Sequence, residues 1–303
     1  MGGMKKTILL SVVLLCAGIT AGLASFIGRN PSVNSFKQSG AVCNDPMSGD
    51  LNGHSRSPGQ DTVLYLDQRK ILIKTPVNSK KAGTFLVLPG WNFPPEDWCN
   101  KTSLCEKVLK KGYYIVLPDM GKSIYQERIF PETRVDWRSW PTRKWVTDTL
   151  IPFLQKKYSL FLGDENNFIV GLSTGARGVA LIVLDMPSLF KGAAALSGDY
   201  NQLGMPGDNL ITGYYGPYVK FRDRWTKTDN VLYRIKEFRT PVYLGHGTSD
   251  KVVPPAQTRL LYDALKKAHP KLKIRLNMPG AGHDYNYWGS EVDNILRFFE
   301  ELK

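Results

Sequence analysis

The chain has 303 residues, 42% hydrophobic and 22% charged. Those proportions exclude a wholly disordered chain and a multi-span membrane protein, and allow one large domain or two small ones. The formal net charge is +13, but the 40 Lys and Arg are scattered, at densest in pairs such as Lys80-Lys81 and Lys266-Lys267. With no nucleic-acid-binding motif beside them, they read as a solvated basic surface, and no nucleic-acid partner is expected.

Lys5 and Lys6 precede an uncharged run over residues 7–28 with an apolar centre at 8–15. Gly22-Leu23-Ala24 then precedes Ser25, the layout of a secretory signal cleaved after Ala24. The same run is long enough to remain as a membrane anchor. Leu15 before Cys16 is too large for a lipoprotein signal. The expectation is an exported protein, periplasmic or secreted, with a membrane tether as the alternative. Export implies an oxidising compartment. Cys43, Cys99 and Cys105 then remain. Cys99 and Cys105 can pair locally, or Cys43 can pair with either. No CxxC pair and no His at ligand spacing occurs, so no metal and no cofactor is expected.

Residues 25–60 are rich in Ser, Asn, Gly and Asp and read as an irregular lead-in. From residue 61 a regular alternation begins. Strands are predicted over 62–66 and 70–74, joined by a short polar turn. A strand over 84–89 is followed by a helix over 101–111. Further strands are predicted over 113–118, 168–171, 193–196, 241–245 and 273–277. Helices are predicted over 143–158, 175–185, 256–268 and 289–302. Apolar strands alternating with helices imply an α/β fold, a mostly parallel central sheet with helices on both faces. Its functional loops lie at the carboxyl ends of the strands.

Gly171-Leu172-Ser173-Thr174-Gly175 stands where a strand gives way to a helix. A serine on so sharp a turn projects its hydroxyl into the cleft, beside a helix N-terminus that favours developing negative charge. Such a nucleophile needs a base, and the base needs an orienting carboxylate. The chain has four His. His54 lies in the lead-in, and His269 precedes Pro270 at a helix end. His246 ends a strand and reads as a packing residue. His283 stands in a Gly-rich loop between the last strand and the last helix, the position expected of the base. Asp250, after the 241–245 strand, is the expected acid, and Asp199, one strand earlier, is its rival. Asp284 adjoins His283 and points elsewhere.

The order Ser173, Asp250, His283 on such a sheet resembles the α/β-hydrolase family, over about residues 61–303. Within it the chain is most similar to the branch of esterase D, S-formylglutathione hydrolases, feruloyl esterases and secreted mycolyltransferases. Residues 144–158 are similar to that branch's helix before the nucleophile strand. The resemblance implies an oxyanion hole made by the backbone N–H of Thr174 and of Trp91, in the loop after the 84–89 strand. Two departures bear on substrate fit: Pro89-Gly90-Trp91 stands where His-Gly is frequent, and Thr174 where a bulkier residue is common. Neither removes a backbone donor.

Two long aromatic segments, 120–142 and 199–240, carry Arg and Lys and stand where they can frame a cleft. Their aromatics suit packing on the core. Their cations, placed at a rim, would suit a substrate bearing negative charge. The expectation is an exported serine hydrolase acting on small-molecule or polymer-linked esters. The alternatives are acyl transfer or peptide cleavage by the same residues, or an inactive scaffold that binds a polymer.

Overall fold

Asp67 and Gln68 both take positive φ, 49° and 63°. That is the primed two-residue turn whose twist matches a hairpin. It joins β1 (Thr62–Leu66) to β2 (Arg69–Lys74) in antiparallel register, Leu66 opposite Arg69. A computed structural model of the chain describes residues 59–77, 81–227 and 229–303. The signal or anchor, nearly all the lead-in, Cys43 and His54 lie outside them.

Six further strands follow: β3 (Gly83–Leu88), β4 (Tyr113–Pro118), β5 (Phe168–Leu172), β6 (Gly192–Leu196), β7 (Val242–Gly245) and β8 (Ile274–Asn277). Their order in the sheet is β1-β2-β4-β3-β5-β6-β7-β8. β2 runs antiparallel to β4, and every pair from β4 to β8 is parallel. The central strands β3, β5 and β6 are buried at every position, which is why they read as unbroken apolar runs.

Ten α-helices occur among the described residues: α1 (Asp97–Lys101), α2 (Leu104–Lys110), α3 (Arg143–Trp145), α4 (Ile151–Tyr158), α5 (Thr174–Asp185), α6 (Asn209–Tyr215), α7 (Arg222–Thr226), α8 (Ala256–Ala268), α9 (Tyr285–Ser290) and α10 (Val292–Glu300). Successive strand residues face opposite sides. Leu86, Ile169 and Leu244 pack with α4, α5 and α8. Phe85, Phe168 and Tyr243 pack with α1, α2, α9 and α10. Phe168 stacks on Phe299 of α10 at 4.3 Å. Each such fully buried side chain contributes about 1.5–3 kcal/mol of burial.

Two predicted helices are shorter than expected, and each follows one that the sequence did not predict. The 101–111 helix is α2, preceded by α1; Thr102 between them is extended (φ −139°), and its hydroxyl bonds Trp98 O and the Leu104 N–H in place of the helix ladder. The 289–302 helix is α10, preceded by α9. Glu291 between them is buried, its carboxylate drawn to Asn277 Nδ2 and the Tyr243 hydroxyl. The 143–158 helix is continuous but carries a π turn over Val146–Leu150. Pro152 follows it at once and has no N–H for the carbonyl a turn earlier.

The chain leaves β3 toward β4 on one side and returns to β5 on the other. This is the topological switch point, and the loops after β3 and β5 open there into one crevice.

Candidate active site

Ser173 sits between the end of β5 and the first residue of α5, at φ 54° and ψ −125°. A serine in that region of φ/ψ stores strain of order 1–3 kcal/mol and has to be held by its surroundings. Its N–H donates to Leu196 O at 2.8 Å. A Cβ on Gly175 would lie 2.5 Å from Pro89 O, so only glycine lets α5 close on the end of β3. A Cβ on Gly90 would meet Leu172 Cδ1 at 2.9 Å, and the loop after β3 therefore runs against the serine turn.

His283, between β8 and α9, stands with Nε2 3.0 Å from Ser173 Oγ. Its Nδ1 is 2.6 Å from Asp250 Oδ2. The ring meets Trp288 edge-on at 5.0 Å. Asp250, in the turn after β7, accepts the backbone N–H groups of Val252 and Val253 at Oδ1, at 2.8 and 2.9 Å. Burial pushes its carboxyl up, but the hydrogen bonds from His246, His283, Val253 and Val252 outweigh burial and hold it well below the usual carboxylate range. Asp250 is thus an anion on one side of the His283 ring, and Ser173 Oγ lies on the other, an arrangement that can pass a proton from the hydroxyl to the imidazole.

The rival acid, Asp199, is committed elsewhere: its Oδ2 pairs with Arg177 of α5 at 2.7 Å. Asp284 caps α9 by accepting the Tyr287 N–H, and His269 ends α8 with Nε2 on Ile235 O. His246, read from the sequence as packing, is wholly buried yet lies 3.0 Å from Asp250 Oδ2. The available signal was its position four residues before Asp250 in the same turn.

Trp91 and Thr174 line the cleft with Ser173 and His283. Neither backbone N–H is taken by a backbone carbonyl among the described residues. Two donors of this kind beside the serine suit a developing oxyanion, each typically worth about 3 kcal/mol to the transition state.

The cleft encloses about 380 Å³, and Phe93, Ile124, Leu210, Ile211 and Val253 make its walls apolar. Among the described residues its lining holds two carboxylates, Asp199 and Asp208, and no Lys or Arg. This corrects the expectation of cations facing an anionic substrate. Several cations of the two aromatic segments lie on aromatic faces instead: Arg224 over Phe221 at 3.8 Å, Arg134 over Trp137 at 4.5 Å, Arg222 over Tyr218 at 5.6 Å. The aromatics themselves mostly pack inward, with Trp137, Tyr214, Tyr215 and Trp225 in one buried cluster. Cys99 and Cys105 are joined in a disulfide across the α1–α2 break, Cα atoms 5.0 Å apart.

The family model described as "Prolyl oligopeptidase family" matches residues 107–302. The chain belongs to the prolyl oligopeptidase family. Its fold is that of the α/β-hydrolases, and it is a serine hydrolase. A poly(3-hydroxyoctanoate) depolymerase of Pseudomonas fluorescens is 21% identical over 246 residues, covering 77% of this chain and 79% of that protein. An S-formylglutathione hydrolase from Agrobacterium tumefaciens superposes with a TM-score of 0.63 at 15% identity, over 84% of this chain and 99% of that one. A fluorophosphonate-binding serine hydrolase of Staphylococcus aureus gives 0.61 at 16% identity, over 80% and 98%.

Proposed function

We propose that this prolyl oligopeptidase family member is a carboxylic ester hydrolase that works through an acyl-enzyme on Ser173. The observation that carries the reading is the unbroken run from Ser173 Oγ through His283 to Asp250, at 3.0 and 2.6 Å, opening on an apolar cleft. Ser173 Oγ attacks the ester carbonyl while His283 Nε2 takes its proton. The oxyanion sits against the N–H groups of Trp91 and Thr174. His283 then protonates the departing alkoxide, leaving the acyl group on Ser173. Water repeats the sequence, with His283 again as base, and releases the acid.

The lining points to a neutral, apolar acyl or aryl group. An acyl chain ending in a carboxylate would meet Asp208, and Asp199 whose charge Arg177 already offsets, with no cation in the lining left to pair with it. The family match favours one second reading, cleavage of peptide amides by the same residues.

We propose further that the chain is exported, residues 1–24 serving as signal or anchor and 25–60 as a lead-in to the catalytic domain over 61–303. The N-terminal pattern and the Cys99–Cys105 disulfide support this reading. Sequencing the N-terminus of the fractionated protein tests it, and an uncleaved cytosolic chain overturns it.

The catalytic reading is tested by labelling with a fluorophosphonate, then by a panel of p-nitrophenyl esters and aminoacyl p-nitroanilides. The expected result is covalent labelling at Ser173. Octanoate turnover should exceed that of a chain-matched half-ester of a dicarboxylic acid by about tenfold or more. Ser173→Ala should stay folded and lose several orders of magnitude in kcat. Ester turnover by Ser173→Ala within tenfold of wild type removes the nucleophile, and anilides outpacing esters moves the assignment to a peptidase.

A further inference from the structure

His246 directly follows β7 and is completely buried. A buried imidazole has to satisfy both ring nitrogens. Its Nε2 faces two acceptors, Asp250 Oδ2 and Val253 O, each at 3.0 Å. Neither can donate, so the proton resides on Nε2. Its Nδ1 is 2.7 Å from the Thr258 hydroxyl of α8. The ring is therefore held at both ends, with a proton on Nε2.

The oxygen it holds is the one that His283 uses. Asp250 Oδ2 accepts from His283 Nδ1 at 2.6 Å and from His246 Nε2 at 3.0 Å. Oδ1 is filled by two backbone N–H groups. Were His246 removed, only the His283 bond would hold Oδ2, and that oxygen would be less firmly aimed. We propose that His246 is a positioning residue for the hydrolysis, which orients Asp250 Oδ2 toward His283 and draws off part of its charge. This rests on the roles given above to Ser173, His283 and Asp250.

The charge argument has a direction. An Asp250 that donates less charge to a second partner holds the His283 imidazolium more strongly. Loss of the His246 donor should therefore move the acid limb of kcat/KM to higher pH. Other titratable groups stand near. Tyr287 of α9 and Tyr200 after β6 are both pushed up by burial, and Asp250 adds to the push on Tyr287. Both phenols thus stay neutral over the working range. Asp199 lies across the cleft, paired with Arg177, Asp208 caps α6, and Lys251 is exposed.

The test compares His246→Leu with His246→Gln, whose amide N–H can replace Nε2–H. His246→Leu should lower kcat by about 10- to 100-fold, the range for partners that orient a functional imidazole. KM should hardly change, because His246 does not line the cleft. The acid limb should rise by about half a pH unit or more. His246→Gln should recover most of kcat and return the limb toward wild type. A His246→Leu rate within about twofold of wild type overturns the proposal. So does a lower rate with an unmoved acid limb and no rescue by Gln, which marks a packing role. If the Leu variant does not fold, 15N-histidine spectra of the wild type decide. His246 protonated on Nε2 and His283 on Nδ1 is the expected pattern, and His246 protonated on Nδ1 overturns the proposal. Ser173→Ala in parallel separates the two failures: an active Ser173→Ala sinks the catalytic reading, whereas a dead one beside a wild-type-like His246→Leu sinks only the role of His246.

Discussion

Asp250 receives four hydrogen bonds, two at each carboxylate oxygen. Asn in its place keeps the shape but turns one oxygen into a donor, opposite N–H groups that also donate. His283 would then be pushed toward the tautomer that cannot accept from Ser173. Asp250→Asn should lower kcat by about three to four orders of magnitude with a native circular-dichroism spectrum. If Asp199→Asn does the greater damage, the acid is Asp199. Ser173, Asp250 and His283 were legible in the sequence because the serine motif, the strand ends and the chain order each constrain them independently. His246 was not. Its role depends on the sideways placement of β7 against α8, which brings Thr258 to one ring nitrogen and Asp250 to the other. Spacing along the chain sets it four residues before Asp250 but carries no information about Thr258. The charge of the cleft was misread for a similar reason. Arg134, Arg222 and Arg224 are near the right segments, but each lies over a neighbouring aromatic ring.

Helix α5 does more than carry the serine turn. Arg177, one turn into it, is fully buried and reaches both long aromatic segments. Its Nε donates to Ile124 O at 3.1 Å, and its terminal nitrogens donate to Asp199 Oδ2, the Tyr215 hydroxyl and Asp229 O at 2.7–3.0 Å. Burial pushes the guanidinium down, but Tyr215, Asp199 and Asp229 outweigh it, so it stays charged. Asp229 in turn pairs with Arg143 of α3, and Arg143 with Asp185 at the end of α5. The network ties the walls of the cleft to the helix that follows Ser173. Arg177→Met keeps the bulk and removes the charge, leaving Asp199 facing an apolar side chain. Breaking one partner out of a buried pair costs about 3–5 kcal/mol. The urea midpoint should fall accordingly, with KM rising as the walls loosen. A loss below about 1 kcal/mol would mean the network adds little to stability. The Ala- and Leu-rich pattern located α5 to within a residue of its start, yet it gave no sign that one arginine points inward. Local chemistry also escaped the periodicity at Thr102, where a side chain outcompetes the helix ladder, and at Glu291, whose buried carboxylate is held by Asn277 and Tyr243.

For the molecule as a whole, strand order brings the parts of the site together. Thr174 and Trp91 are 83 positions apart, yet β3 and β5 are neighbours in the sheet, with Leu88 opposite Gly171. Asp250 and His283 arrive at the same edge because β7 and β8 run parallel to them. The site therefore persists only while the sheet is intact, and its charge state feeds back on global stability. The carboxyl of Asp250 titrates well below the usual range in the fold, and an unfolded Asp titrates at about 3.9. A depressed folded value means that the unfolded chain binds the proton first, so acid favours unfolding. The stabilisation is complete above about pH 5 and is lost as pH falls through 4 toward the folded value. Exposed carboxylates of Glu106, Glu132, Asp136 and Glu301 are lowered by hydrogen bonds from Lys and Arg and add to the same slope, though solvent screening keeps each addition small. Asp250→Asn removes the buried contribution and leaves the surface ones. Thermal melts of both proteins from pH 7 to pH 2 should show the wild type losing Tm more steeply below pH 4, so that the gap between the curves changes in the variant's favour. Parallel curves over that range would mean that Asp250 titrates alike in the folded and unfolded chains, and the hydrogen bonds from His246 and His283 would then have no energetic hold on it.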